Sequence, residues 1–424
     1  MLNKNSFWSL AGGALPALAA IISTPVLISV LGLKLFAIVS LILSLTIFFY
    51  VYDLGMARTM TYLISRSDAH ESNVNWGLIG SALLSTMFLG GLITTLVFIA
   101  MPYFVKYWLE TDKNLLQETI LAFRISTLVI LPGLISNVFK GILEGNSQFK
   151  EANICKIFSG ASVFIAPLIV ISFISKSLID ISISIVVSRY LALILYVIYS
   201  ISPSKIFQLK VNRESLSAIW SYGVWAAISG FISTTFVYGD RFIVAGYLEA
   251  QDLAIYIASQ DILNRYLLIP WSMAIVLMPT FSSDSYIKSK VVELYQLQQK
   301  RVGLISFFLL LLVLIFFIWL TLQTNYLVIP ENAKFIVAIQ IVGIFFCALS
   351  QLPLIYLYGK GRPKLVTKIF VAELFIYVVL APFVFNFFGV IGASLIWSGR
   401  LIIEYFLLRH YAERLIFEKS LSNI

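Results

Sequence analysis

Long apolar runs, separated by short polar segments, recur along the whole chain. Each run has the length of about 20 residues or more that crosses the hydrocarbon core of a bilayer as one helix. The longest connections have only about 20 residues, which leaves no room for a separate soluble domain. The pattern predicts an all-α polytopic membrane protein with about twelve transmembrane helices, at 7–31, 35–57, 75–100, 119–140, 154–174, 179–200, 217–246, 252–280, 301–322, 332–358, 365–386 and 389–411.

Composition and charge agree with a membrane location. Of the 424 residues, 60% are hydrophobic and 12% are charged, whereas soluble domains average about 45–50% apolar and about 25% charged residues. Lys and Arg concentrate in alternate connections by about four to one, which predicts that both termini are cytoplasmic. The net charge of +9 is then explained by the excess of Lys and Arg in the cytoplasmic connections, where these residues attract anionic membrane lipid. Nucleic acid is therefore not an expected partner.

The chain carries few of the residues that build metal, redox or catalytic sites. Cys155 and Cys347 lie in unrelated settings and give neither a disulfide framework nor metal-ligand spacing. No loop holds paired carboxylates or a Ser/His/Asp set. We expect no cofactor, no metal and no enzymatic activity. The first apolar run, 7–31, is too long for the core of a signal peptide, and we interpret it as a retained helix.

The two halves of the chain share short segments at a spacing close to half its length. Trp8 and Trp220 open spans one and seven, and each is followed by serine. Basic segments that begin at Gly145 and Gly359 follow spans four and ten. These matches predict two six-helix repeats in parallel topology, a feature typical of transporters. The predicted repeats are residues 1–210 and 211–424.

Several motifs give the chain a resemblance to a known family. They are Tyr-Asp-Leu-Gly-Met-Ala-Arg at 52–58, Lys-Gly-Ile-Leu-Glu-Gly-Asn at 140–146 and Tyr-Gly-Asp-Arg-Phe-Ile at 238–243. They resemble motifs of the polysaccharide exporters in the multidrug/oligosaccharidyl-lipid/polysaccharide (MOP) superfamily. The chain is similar over nearly its whole length to the Wzx-type O-antigen flippases of that superfamily.

The resemblance implies a fold, a function and partners. The fold is two six-helix bundles, related by a pseudo-two-fold axis along the membrane normal, around a central cavity with alternating access. The substrate is an undecaprenyl-pyrophosphate-linked oligosaccharide, moved from the cytoplasmic to the periplasmic leaflet of the bacterial inner membrane. Other polysaccharide-assembly proteins are candidate partners, besides this substrate and membrane lipid.

Five arginines lie inside the predicted spans: Arg124, Arg189, Arg241, Arg265 and Arg400. A charged side chain in hydrocarbon costs about 2.5–3.5 kcal/mol on insertion scales, unless it faces a wet cavity or a partner. Guanidinium is the cation best shaped to bind phosphate or carboxylate. All five arginines are therefore candidate substrate contacts.

Two of these arginines have no acidic residue at helical spacing, and a third follows one directly. For Arg124 and Arg189 two interpretations stay open: a structural bond to another helix, or a cavity cation that binds the pyrophosphate or an acidic sugar. Arg241 follows Asp240 near the outer end of span seven. Either Arg241 anchors the helix at the interface, or it contacts substrate while Asp240 orients it or carries a coupling proton.

The other two arginines have an acidic residue one helical turn away. Asp261 with Arg265, and Arg400 with Glu404, have the i, i+4 spacing that suits a local ion pair. An arginine paired in this way can still exchange its partner for a phosphate. Glu373 is isolated in span eleven, and it is either a silent neutral acid, a proton or sodium coupling site, or the partner of an arginine on another helix.

Three other functions compete with a flippase. A cation-coupled multidrug antiporter of the same fold, the main alternative, needs acidic cavity residues, yet span one has no ionisable residue between Phe7 and Leu31. A membrane glycan polymerase needs a large outer loop, whereas the longest predicted outer loop has about 18 residues. A pure scaffold does not need five arginines within the membrane. The flippase is the preferred function.

Overall fold

The described part of the protein is built from α-helices. The computed structural model describes residues 2–51, 54–66, 76–108, 115–201, 208–248, 250–283, 288–322 and 331–421, and no β-strand occurs in these ranges. The helices are α1 (Leu2–Val51), α2 (Met56–Arg66), α3 (Trp76–Trp108), α4 (Leu116–Thr127), α5 (Ile130–Gly145), α6 (Phe149–Phe173), α7 (Leu178–Ser200), α8 (Arg213–Thr234), α9 (Asp240–Ala245), α10 (Ala250–Tyr266), α11 (Leu268–Ile275), α12 (Met278–Ser282), α13 (Lys288–Leu322), α14 (Glu331–Gly359) and α15 (Pro363–Leu421).

Many of these helices are long and apolar enough to cross a bilayer. Among the described residues, nine segments meet this condition. They are Lys4–Gly32, Trp76–Tyr107, Leu116–Gly145, Phe149–Phe173, Leu178–Ser200, Arg213–Val237, Ser289–Ile315, Lys334–Gly359 and Pro363–Ile416. The last segment has 54 residues and contains both predicted spans 365–386 and 389–411. The prediction of an all-α, multi-pass membrane protein is confirmed.

Helix α15 reverses direction at Gly389, where φ is +53°. On one straight helix Glu373 and Arg400 would lie about 40 Å apart, yet their side chains are 3.6 Å apart. Helix α1 leaves the helical conformation in the same way at Gly32, where φ is +74°. Glycine adopts positive φ without steric cost. Both glycines lie where the apolar pattern separates one predicted span from the next.

The predicted span 252–280 is divided into α10, α11 and α12, and two prolines explain where it breaks. Pro270 and Pro279 lack the N–H groups that would bond the carbonyls of Tyr266 and Ile275, four residues earlier. Helices α10 and α11 end at those two residues. Just after each end, an N–H bonds the carbonyl three residues back, at 3.2 and 3.0 Å. The chain therefore tightens into a 3₁₀ turn at each break.

The chain divides into two compact units, Met1–Ala227 and Ile228–Ile424. In the first unit, α5 packs against α1, α2, α3, α6 and α7. In the second unit, α14 is central and packs against α10, α11, α12, α13 and α15. The two sequence repeats, 1–210 and 211–424, rest on similarity between the halves and stay a prediction.

Large apolar side chains are found both inside each unit and on its surface. Phe123 and Ile130 belong to a buried core in the first unit, and Ile344 belongs to one in the second. Phe173 and Phe387 are 84% and 81% exposed. Many exposed apolar side chains of this size are typical of a surface that faces lipid rather than water.

Helices α2 and α5 approach closely because Gly141 has no side chain. A Cβ atom there would lie 2.6 Å from the carbonyl oxygen of Ala57 and 2.7 Å from Cβ of Met60. Small residues at such crossings let membrane helices pack by van der Waals contact. Gly133, in the same helix, has no atom within 4 Å of an added Cβ.

We expect Gly141→Ala to destabilise the protein by about 1–3 kcal/mol, because the added methyl group overpacks the α2–α5 contact. Gly133→Ala is the matched control, and it should be stabilising by about 0.5–1 kcal/mol because alanine is the better helix former. Thermal unfolding of the purified protein in detergent, followed by tryptophan fluorescence, measures both. Equal midpoints for the two variants would contradict the close approach.

Candidate functional site

A buried ion cluster in the second unit joins the two halves of α15. Nη1 of Arg400 lies 3.0 Å from Oε2 of Glu404 and 3.6 Å from Oε2 of Glu373. The side chains of Arg400, Glu373 and Glu404 are 9%, 3% and 8% exposed. Glu404 lies one helical turn after Arg400, whereas Glu373 reaches it only because the chain reverses at Gly389. We call these three residues the Arg400 cluster.

Other helices surround the Arg400 cluster. The guanidinium of Arg400 lies 3.9 Å from the ring centroid of Phe236, a distance at which a cation is attracted to the ring face. Phe236 belongs to a π-helical turn, Thr235–Gly239, between α8 and α9. Ser350 of α14 donates to Oε1 of Glu404 at 3.4 Å. The cluster therefore ties α15 to α14 and to the π-helical turn, a rare conformation that is frequent at functional sites.

Asp240 belongs to a second polar group of the same unit. Its Oδ2 accepts hydrogen bonds from the hydroxyl of Tyr256 at 3.0 Å and from Nε2 of Gln260 at 3.2 Å. The residue is 2% exposed. Because a buried carboxylate needs such donors, these bonds explain how Asp240 is accommodated inside the unit.

The remaining predicted residues of the second unit lie elsewhere. Asp261 and Arg265 are both exposed on α10. Their exposure contrasts with the burial of the i, i+4 pair of Arg400 and Glu404. The side chain of Arg241 lies outside what the structure describes, so its predicted contact with substrate stays a prediction.

Arg189 lies inside the first unit and is 3% exposed. Its Nη1 donates to the carbonyl oxygen of Ser159 at 3.2 Å and also to the hydroxyl of Ser159. These bonds link α7 to α6 and correspond to the structural interpretation of Arg189. A contact with substrate stays a prediction for this residue.

Arg124 lies half-buried on α4, and its surroundings differ from those of Arg189. Its guanidinium is 5.1 Å from the ring centroid of Phe98 on α3. Nε is buried without a hydrogen-bond partner, and no carboxylate of the described residues lies within ion-pair distance of Arg124. Helix α4 is held in place by Glu118, which accepts from Ser177 Oγ at 2.7 Å and from Leu178 N at 2.8 Å at the start of α7.

The motif residues of the first unit are only partly described. Tyr52 and Asp53 lie outside the described residues. Nζ of Lys140 lies 3.9 Å from Oε1 of Glu144, one helical turn later. Lys150 has its ammonium group 5.9 Å from the ring centroid of Trp8.

Sequence reasoning missed the neutral partners of these charged groups. They share no sequence signal except that polar or aromatic residues interrupt apolar runs. The partners are Ser159, Phe236, Tyr256, Gln260 and Ser350. Only the packing of one helix on another selects these residues from the many serines and aromatic residues in the spans.

Comparison with solved structures assigns the fold to a class. The chain aligns over 98% of its length with 95% of a MOP superfamily transporter from Pyrococcus furiosus, at a TM-score of 0.80 and 14% identity. It aligns over 99% of its length with 98% of the Vibrio cholerae MATE transporter VcmN in the bent form, at a TM-score of 0.77 and 14% identity. The fold is therefore that of the MOP superfamily transporters.

Sequence comparison gives the family. Residues 2–284 match the family described as polysaccharide biosynthesis protein. The chain is also 26% identical over 411 residues to a candidate O-antigen transporter of Shigella flexneri, with 96% of each chain covered. This chain belongs to the polysaccharide biosynthesis protein family, which confirms the polysaccharide family predicted from its motifs.

Arg400→Ala should lower the free energy of unfolding by about 3–5 kcal/mol, because it leaves a buried carboxylate without its cation. Arg409→Ala is the matched control on the same helix. Arg409 forms an i, i+4 pair with Glu413 at 2.7 Å, but the two side chains are 46% and 38% exposed, so its loss should cost about 0–1 kcal/mol. Unfolding of the two purified variants in detergent tests this difference, and similar losses in both would contradict it.

Proposed function

We propose that this protein is a flippase for undecaprenyl-pyrophosphate-linked oligosaccharide repeat units of O-antigen or a related surface polysaccharide. It moves them from the cytoplasmic to the periplasmic leaflet of a bacterial inner membrane, with both of its termini in the cytoplasm. Membership of the polysaccharide biosynthesis family supports this substrate class, as does the name of the Shigella flexneri relative. The concentration of Lys and Arg in alternate connections supports the orientation.

The environment of Arg124 is the observation that carries the proposal. A cation inside a membrane helix needs a partner, and Arg124 has an aromatic ring but no carboxylate partner among the described residues. A pyrophosphate group supplies several acceptor oxygens, and guanidinium binds them with two parallel hydrogen bonds. Arg124 therefore fits a transient anionic partner better than a permanent structural one.

Alternating access is the proposed mechanism. The pyrophosphate contacts arginine side chains while the lipid tail stays in the bilayer, and the binding groups open first to the cytoplasm and then to the periplasm. Binding must be moderate, since equally tight binding in both states would hold the substrate rather than move it. Arg124 lies near the predicted periplasmic end of its helix, so we assign it to a late stage of the movement.

Arg124→Ala should reduce surface polysaccharide about tenfold or more, because a charge-assisted hydrogen bond contributes about 1.5–3 kcal/mol. Arg124→Lys should restore only part of the activity, since lysine lacks the planar fork. The measurement is surface polysaccharide in a strain that lacks its own flippase, at matched protein levels. Lys106→Ala is the control, because Lys106 is an exposed cation 5.5 Å from the ring centroid of Tyr107.

Two outcomes of this experiment would count against the proposal. A normal amount of surface polysaccharide in Arg124→Ala would show that transport does not need this residue. Failure of the wild-type protein to restore polysaccharide, together with increased resistance to cationic drugs, would favour the antiporter. We expect no change in drug resistance, because span one has no acidic residue.

Arg189→Ala should differ from Arg124→Ala in the amount of folded protein. Arg189 is bonded to Ser159 inside the first unit, so its removal leaves buried acceptors without their donor and should destabilise the protein by about 1–3 kcal/mol. Immunoblots of membranes and thermal unfolding measure this. A stable Arg189→Ala variant with impaired export would instead support a direct contact with substrate.

A further inference from the structure

We propose that the Arg400 cluster is a proton-binding site and that Glu373 is the residue that takes the proton. The site is defined by contacts inside the second unit alone, so its existence is independent of the substrate. Its use in driving transport rests on the proposed function.

The charges of the Arg400 cluster do not balance when all three side chains are ionised. Glu373 and Glu404 both contact the same guanidinium nitrogen, at 3.6 and 3.0 Å. All three side chains are at least nine-tenths buried. With every group ionised, two carboxylates face one guanidinium, which leaves one excess negative charge where an uncompensated charge is costly. One bound proton makes the cluster neutral.

Hydrogen bonding distinguishes Glu373 from Glu404. Glu404 accepts a hydrogen bond from Arg400 at 3.0 Å and another from Ser350 at 3.4 Å. Neither oxygen of Glu373 has a hydrogen-bond partner in the described part of the chain, because 3.6 Å is beyond hydrogen-bond distance. A buried carboxylate without donors is far less stable than a neutral carboxyl group. The proton therefore belongs on Glu373.

An unused hydroxyl group lies one turn beyond Glu373. The hydroxyl of Tyr377 is buried and has no hydrogen-bond partner among the described residues. Its ring lies 6.0 Å from the ring of Phe236, which itself lies under the guanidinium of Arg400. Tyr377 also interacts electrostatically with Arg400, so after a side-chain rotation its hydroxyl can accept from a protonated Glu373 or donate to an ionised one.

No second cation balances the cluster within the part of the chain that the structure describes. Cys347 of α14 interacts electrostatically with Arg400 and Glu404. Tyr377 interacts with Arg400 and with Asp240 of α9. None of these neighbours carries positive charge. In the part of the chain that the structure describes, Arg400 is therefore the cation that faces the two carboxyl groups.

A proton fits this site better than a metal ion does. Hard metal cations require several oxygen ligands at once, and no group of three or more candidate ligands occurs among the described residues. Arg400 already occupies the space between the carboxyl groups and repels a second cation. A proton needs only one oxygen: it bonds to an oxygen of Glu373, the carboxylate becomes a carboxylic acid, and no other covalent bond changes.

Protonation of Glu373 changes what holds the two halves of α15 together. When Glu373 is ionised, it competes with Glu404 for Arg400 and draws the segment before Gly389 towards the segment after it. When Glu373 is protonated, Arg400 is left to Glu404 on its own segment. A proton that enters from one side of the membrane and leaves on the other therefore alters a contact between helices, as coupling requires.

Infrared difference spectroscopy of the purified full-length protein, taken from alkaline to neutral pH, tests the site directly, because the exposed carboxylates stay ionised over this range. Wild type should show the carbonyl stretching band of a protonated carboxyl group, and Glu373→Gln should lose it. Glu404→Gln should lose it too, because one carboxylate facing one guanidinium needs no proton. Glu413→Gln is the control and should keep the band, since Glu413 is exposed. An unchanged band in Glu373→Gln or in Glu404→Gln would overturn the proposal.

A transport measurement separates this inference from the proposed function. Liposomes that hold the purified protein and a sugar-bearing undecaprenyl diphosphate should flip this lipid faster under a proton gradient, and Glu373→Gln should lose the acceleration. Loss of the band in Glu373→Gln, without lipid movement by wild type, would support the proton site and overturn the flippase. Gradient-driven movement that persists in Glu373→Gln would overturn the coupling role and leave the flippase intact.

Discussion

Hydrocarbon offers neither hydrogen bonds nor counterions, and this constraint determines most of what the structure shows. Every backbone group in a lipid-exposed segment must be satisfied by the segment itself, which is why the described residues fold into helices. At Pro270 and Pro279, which remove two donors, the chain changes to 3₁₀ turns. Charged side chains obey the same requirement, and each buried one has to find a partner within the protein.

The same constraint separates the buried arginines by their partners. Arg189 is satisfied by a neutral serine on the neighbouring helix, and Arg400 by two carboxyl groups and an aromatic ring. Arg124 has an aromatic ring, and among the described residues no carboxylate neutralises it. An arginine with a permanent partner stabilises the fold. The proposed function gives Arg124 a transient anionic partner in place of a permanent one.

Sequence reasoning could predict what depends on local pattern. The apolar runs, the i, i+4 spacing of Arg400 and Glu404, and the isolation of Glu373 are all properties of neighbouring positions. The contact between Glu373 and Arg400 is one of three interpretations that the sequence leaves open. Nothing local indicates that α15 reverses at Gly389 and brings the two side chains together. Asp261 and Arg265 have the identical spacing, yet both lie exposed on α10, whereas the pair of Arg400 and Glu404 is buried. Spacing alone does not predict which of the two sets lies inside the unit.

The short helices α10, α11 and α12 have a mechanical consequence. In a 3₁₀ turn an N–H bonds the carbonyl three residues back, whereas in an α-helical turn it bonds the carbonyl four residues back. A helix with such turns can therefore lengthen or shorten slightly by shifting bonds between adjacent acceptors. The segment can bend within lipid without exposing bare backbone groups. All three short helices pack against α14, which continues as one helix from Glu331 to Gly359 although it contains Pro353. The second unit therefore places a segment divided by 3₁₀ turns beside a helix that absorbs its proline without a break.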